Sequence, residues 1–247
     1  MTAGCVITTS WDDGHPLDSR LADLLVKYGL PATFYVPVEN PGRPVLPAAD
    51  LRGLAAAEFE IGGHTYHHTR LLNVPPAEAR TEIETGKAAL EDLLGGPVAS
   101  FCYVGGQHSP ALALMVRQAG FIGARTSVRY RLWRPAANAN RFAMPTTVQA
   151  RPLTRREDAL QLLWARNVGG LAHVAAGDPR DVVGTARRWL ARAQNGGVWH
   201  LWGHSWEIEK FNLWAELEQV LALAAATRGQ ARWLTNGQLF AECAAGR

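Results

Sequence analysis

"CVITTSWDDGHPLDSRLADLLVKYGLPATFYVP", residues 5–37, holds one complete strand–helix–strand unit, and its reading sets that of the rest. "CVITTS" (5–10) is short, apolar and β-branched, the pattern of a buried strand. Leu17, Leu21, Leu24, Leu25 and Tyr28 then fall on one face of a helix that Gly29 and Pro31 stop. "ATFYVP" (32–37) returns as a second strand. Between strand and helix stand two adjacent carboxylates, Asp12 and Asp13, followed by Gly14. Such a doublet suits a surface turn. It also suits a site at a strand end, where one acid holds an ion and its neighbour takes a proton.

The alternation continues along the chain. After the proline-rich loop "ENPGRPVLP", a short helix is expected at about 48–57, then a strand in "FEIGGH". "PPAEARTEIETGKAALEDLLGG" places Ala79, Ile83, Leu90 and Leu94 on one helical stripe closed by glycines. "VASFCYV" (98–104), "FIGART" (121–126), "VWHLWGH" (198–204) and "RWLT" (232–235) read as further strands. Residues 109–120 read as a helix, as do Asn212 to Thr227 and a stretch capped by Asp178 with Pro179 at its first position. Val128 to Thr154 shows no regular period. Strands alternating with helices in one chain give parallel strands covered by helices, an α/β fold over residues 1–247 as a single domain. The alternation allows a doubly wound sheet or a barrel and does not choose between them.

Composition narrows the function classes. Apolar residues make up 47% and charged residues 19%, enough for a sizeable core. A net charge of +3 does not call for nucleic acid. Eight arginines lie between Arg125 and Arg156 with no acid among them. They form either a solvated face or a wall that meets an anionic substrate, with Arg129 as the residue to test. Cys5, Cys102 and Cys243 are too few for a disulfide framework and read as reduced thiols. "MTAGCVITTSWDDG" lacks the basic start and apolar stretch of a secretory signal, and no apolar run is long enough to span a bilayer. A cytoplasmic protein is the expectation.

The chemistry-bearing residues gather at strand ends. "DDGH" follows the first strand, "HTYHH" the third, "GGQH" the fourth and "GHSWE" a late one. In parallel α/β folds these ends share one face. Asp12, Asp13, His64, His67, His68, His108, His204 and Glu207 can therefore converge, as ligand types that a divalent transition metal prefers. His64 and His68 are four apart, so one helical turn would align their rings, with His67 as the rival partner. Trp11, Trp202 and Trp206 lie beside these residues, and aromatic faces suit sugar rings. Cys102 is weighed as a nucleophile and read instead as a small buried apolar residue.

Taken together, "SWDDG", "EIGGHTYHH", "SFCYVGG" and "WHLWGHSWE" resemble the polysaccharide deacetylase family (carbohydrate esterase family 4, the NodB-homology domain). The resemblance runs from about residue 6 to the closing "LTNGQL". It implies a distorted (β/α) barrel of about seven parallel strands and metal-dependent removal of N-acetyl groups from an amino sugar or glycan. It further implies Asp13, His64 and His68 as ligands of a divalent metal, zinc foremost, with Asp12 as general base and His204 as general acid. His200 is the competing acid. The third motif departs: where the family has Arg-x-Pro-Tyr or Phe, this chain has Cys102, Tyr103, Val104 and Gly105. Asp12 must find another partner, for which Arg125 is the choice, while the Gly105 backbone N–H can still meet an oxyanion. The fourth motif is not recognisable in "ARTSVRYRLW". These departures leave two alternatives open: hydrolysis of a non-sugar cyclic amide (an imide or ureide), and an inactive glycan-binding module. His15 and His108 fall outside the matched motifs, and Glu207 either orients His204 or serves as a helix N-terminal carboxylate.

Overall fold

The computed structural model describes residues 4–135, 140–164, 167, 170 and 178–246. Its strands are β1 (Cys5–Asp12), β2 (Thr33–Val36), β3 (Glu60–Gly63), β4 (Ser100–Cys102), β5 (Gly123–Arg125), β6 (Val148–Gln149), β7 (Gly197–Gly203) and β8 (Ala231–Trp233). The helices used below are α1 (Asp18–Tyr28), α2 (Ala48–Ala56), α3 (Pro76–Leu94), α4 (Pro110–Gln118), α5 (Arg155–Trp164), α6 (Val182–Ala193), α7 (Ser205–Lys210), α8 (Trp214–Ala225) and α9 (Asn236–Ala244).

All strand pairs are parallel, in the order β5-β4-β3-β2-β1-β7-β6. β1 is the pivot. It pairs with β7 from Cys5 to Trp11, with β2 from Ser10 to Asp12, and with the short β8 from Cys5 to Ile7. The stretch without a period closes the sheet on itself. Met144 exchanges backbone hydrogen bonds with Ala124 and Thr126 at β5 (2.9 and 2.8 Å). A few residues on, the Thr147 and Ala150 N–H groups reach His200 and Trp202 of β7 (3.0 and 2.7 Å). The result is the distorted (β/α) barrel, with seven strands along its path.

The helices lay their apolar stripes on the outside of this sheet. Leu21 and Leu25 of α1, Ile83 and Leu90 of α3, Val116 of α4 and Leu217 and Leu221 of α8 are all buried. Inside, the barrel carries polar side chains: the ring of His200 lies between the hydroxyls of Thr8 (2.5 Å) and Ser10 (2.9 Å). At the barrel's lower end Glu60 accepts from Thr33 (2.7 Å), Ser100 (2.6 Å) and the Gly237 N–H (2.7 Å). That carboxylate ties the starts of three strands to the N-terminus of α9, so the opposite, C-terminal strand ends are left to form a site.

Several sequence expectations shift. β1 runs two residues further than "CVITTS" and ends on Asp12 itself. α6 starts at Val182, because Asp181 rather than Asp178 caps it, accepting from the Gly184 N–H at 2.7 Å. The helix expected from Asn212 to Thr227 is α8, and a short helix that the sequence reading did not include, α7, precedes it. No described helix is long and apolar enough to cross a membrane.

Candidate active site

Asp12 and Asp13 would point to opposite faces if β1 simply continued. Instead Asp13 has φ 79°, a left-handed backbone that Asp tolerates better than most residues. The twist turns both carboxylates toward one pocket of about 470 Å³ at the C-terminal strand ends. The "HTYHH" turn enters from the next strand but one. It is not helical: Thr65 and His68 have φ 67° and 57°, and this left-handed turn brings the two rings to 5.1 Å between centroids. In place of the expected helical turn, this left-handed one is held by Glu82 of α3, which accepts from the backbone N–H groups of Tyr66 (3.1 Å) and His67 (2.9 Å). Glu82 also binds His67 Nδ1 at 2.6 Å, which takes His67 out of contention as a ligand.

Asp13, His64 and His68 offer ligand atoms that all lie within 4.8 Å of one another. Asp13 Oδ1 is 2.9 Å from His68 Nε2 and 3.6 Å from His64 Nε2. Its other oxygen accepts from the Trp206 indole N–H at 2.9 Å, which fixes the carboxylate plane. His64 Nδ1 donates to the Cys102 carbonyl at 2.8 Å, so that nitrogen carries the proton and Nε2 is left with its lone pair as the ligand atom beside Asp13. Burial would raise the Asp13 carboxyl, but the His64 and His68 rings beside it outweigh burial and hold it well below the usual carboxylate range. One carboxylate and two imidazoles in this arrangement fit a divalent transition ion with positions left open. Asp12, His64 and Cys102 also lie within reach of one another. Burial pushes the Cys102 thiol up, which fits a small buried residue rather than a nucleophile.

Asp12 pairs with Arg125, which is fully buried at the end of β5. The guanidinium thus arrives from one strand further along than the motif position held by Cys102, whose sulfur lies 3.6 Å from Asp12 Oδ2. Opposite, His204 stands between Trp202 and Trp206 (ring centroids 5.6 and 5.3 Å). Its Nδ1 meets Glu207 Oε2 at 2.6 Å, and Glu207 in turn accepts from Arg151 at 2.7 Å. Burial works against charge on His204, yet Glu207, with Asp13 beyond it, raises its pKa above the ordinary imidazole value. Gly105 lines the same pocket.

Other candidates fall elsewhere. His200 is enclosed within the barrel, and burial together with Arg125 holds it well below the usual imidazole range. Trp11 is fully buried, whereas Trp202 and Trp206 line the pocket. His108 packs on Tyr103, and His15 accepts from the Leu17 N–H in the turn into α1. Arg129 does not face a substrate: it is 3% exposed and paired with Asp158 at 2.6 Å. Sequence reading missed Glu82 and Arg151. Glu82 sits on the same stripe as Ala79 and Ile83, and an acid on an apolar stripe was the available signal.

The polysaccharide deacetylase family model matches residues 2–124, and the chain belongs to that family. Among solved structures, the chain is similar to one assigned as a polysaccharide deacetylase from Mycobacterium smegmatis (16% identity, TM-score 0.69, covering 100% of this chain and 92% of that one). It is also similar to the chitin deacetylase of Colletotrichum lindemuthianum (14%, TM-score 0.64, 98% and 89%). A third is a family 4 acetyl xylan esterase from Clostridium thermocellum in complex with a cobalt ion (20%, TM-score 0.56, 96% and 90%). At these identities the likeness carries the fold. No curated protein matches the sequence.

Proposed function

We propose that this chain is a metal-dependent hydrolase that removes N-acetyl groups from an amino sugar or glycan. The observation that carries the reading is the division of labour between neighbours. Asp13 faces His64 and His68, while Asp12 is turned to Arg125 and remains open to the pocket. Asp13, His64 and His68 would hold the ion; the acetyl xylan esterase relative is in complex with cobalt. A divalent ion bound there supplies Lewis acidity, making water a nucleophile near neutral pH.

The remaining work belongs to the chain's own groups. Asp12 takes the proton of the attacking water, and its ion pair with Arg125 keeps it oriented for that transfer. The Gly105 N–H, on the pocket wall, meets the negative charge that develops on the acyl oxygen. His204, held protonated by Glu207, delivers its proton to the departing nitrogen. A positioned general acid or base contributes a factor of about 10²–10⁴ in rate. The test is acetate release from N-acetylglucosamine and its oligomers by zinc-loaded protein, compared with ring opening of small cyclic imides. Acetate release supports the reading. Ring opening without acetate release would replace it with the cyclic-amide alternative, and binding without turnover with the glycan-binding one.

A further inference from the structure

The pocket holds three arginines, and only one of them has a dedicated acid. Arg151 is neutralised by Glu207 at 2.7 Å and Glu157 at 3.6 Å. Arg70 has no ion-pair partner among the described residues, and it overhangs Gly105, with Nε 3.6 Å from where a Cβ at that glycine would stand. Arg43 has a single carboxylate in reach, Asp13 Oδ2 at 4.0 Å, and that carboxylate belongs to the ion-binding cluster.

Arg43 is nevertheless held firmly. Its guanidinium lies over the Trp206 indole, 3.7 Å from the ring centroid, and Trp206 is itself bonded to Asp13. The loop that presents it is stitched to both ligand-bearing turns. The Glu39 N–H donates to the Tyr66 carbonyl (2.8 Å) and the Leu46 N–H to the Gly14 carbonyl (2.7 Å). Within the loop, Asn40 accepts from the Arg43 N–H through its carbonyl (3.2 Å) and from the Gly42 N–H through its side chain (3.0 Å). Asp13 is shared between this guanidinium and the ion-binding cluster, so its one charge does not neutralise both, and an anionic group from outside is favoured beside Arg43. The side chain is 36% exposed, so its free N–H groups remain open to the pocket.

We infer that Arg43, with Arg70 on the lining of the same pocket, selects an N-acylated amino sugar that carries an anionic group, a carboxylate or a phosphate, near the scissile amide. The inference rests on the deacetylase reading and adds a substrate class to it. A planar guanidinium grips such a group through two parallel N–H bonds, which a neutral hydroxyl cannot match.

The experiment measures kcat/KM for acetate release from N-acetylglucosamine 6-phosphate, N-acetylmuramic acid and N-acetylglucosamine at one ionic strength. The phosphate and carboxylate arms separate the two sources of charge. The wild-type protein should prefer one anionic sugar at least tenfold. Arg43→Gln should cut the anionic-to-neutral ratio at least tenfold, and Arg43→Lys should restore part of it. A wild-type ratio below threefold, or one that Arg43→Gln leaves unmoved, overturns the inference. In that case acetate release from N-acetylglucosamine still upholds the deacetylase reading, so the two failures are distinct. If no sugar releases acetate, that reading falls, and calorimetric binding of glucosamine 6-phosphate, muramic acid and glucosamine decides the inference. Tenfold tighter binding of an anionic sugar, lost in Arg43→Gln, supports it; equal binding or none overturns it.

Discussion

Gly86→Ala is a conservative change in the middle of α3, and two opposing effects can be compared for it. In an isolated helix, alanine would be favoured over glycine by about 1 kcal/mol. In this protein a Cβ at residue 86 would stand 2.8 Å from the Thr65 carbonyl carbon, 2.9 Å from the Tyr66 nitrogen and 3.0 Å from the Thr65 oxygen. All three are backbone atoms, so no side chain can rotate away. Reaching ordinary contact requires the "HTYHH" turn to retreat by about half an ångström. Glu82 holds that turn from the same helix, so the retreat strains its bonds to Tyr66 and His67. Metal–ligand distances tolerate only about ±0.2 Å. The displaced turn carries both His64 and His68, so zinc affinity should fall about ten- to a hundredfold, as for other supporting-residue changes. Overpacking of about 1–3 kcal/mol should also cancel the helical gain in the metal-free protein. Zinc titration against a chromophoric chelator, with thermal melts in EDTA, measures both. A Gly86→Ala protein that binds zinc as tightly as wild type and melts higher would refute this account of the turn.

Three further outcomes follow from the buried charges. Arg125→Met leaves the Asp12 carboxylate buried and unpaired, so urea denaturation should show a loss of about 3–5 kcal/mol, most of it recovered in the Asp12→Asn/Arg125→Met double variant. An equal loss in the double variant would mean that packing, not charge, is at stake. Glu207→Gln removes the carboxylate that holds a proton on His204. The imidazole then gives up its proton at lower pH, and the alkaline limb of the kcat/KM profile should move down; an unmoved limb would exclude His204 as the acid. Asp18, wholly buried against Ser205, has its carboxyl pushed up to about 8 by burial. The unfolded chain ionises this group near pH 4, so folding takes up a proton and stability falls as pH rises toward 8. The advantage of Asp18→Asn in melting temperature should therefore grow from pH 5 to pH 8, and a constant or shrinking difference would contradict it.

The parts of the site that the sequence discloses are those encoded locally. Asp12, Asp13, His64, His68 and His204 each follow a recognisable strand, and the parallel topology brings strand ends together whatever their separation. The Arg125 pairing was legible for the same reason, since it closes β5 as Asp12 closes β1. What escaped depends on contacts between distant segments. The arginine-rich stretch reads as a cationic wall, yet Arg129 is cancelled by Asp158 of α5, an acid just beyond that stretch. The i to i+4 spacing of His64 and His68 suggests a helix, but Thr65 and His68 take positive φ, and the left-handed turn that results is held by Glu82 from a helix further along the chain. The closure of the barrel through Met144 to Gln149 follows no periodicity, because those residues pair with β5 at one end and β7 at the other.

The most direct test is the metal content of purified protein, by elemental analysis, for the wild type and single variants. The account predicts one divalent ion per wild-type chain, its loss in Asp13→Ala and His64→Ala, and its retention in Asp12→Asn with turnover abolished. An ion that survives Asp13→Ala, or turnover that survives in metal-free His64→Ala, would contradict it.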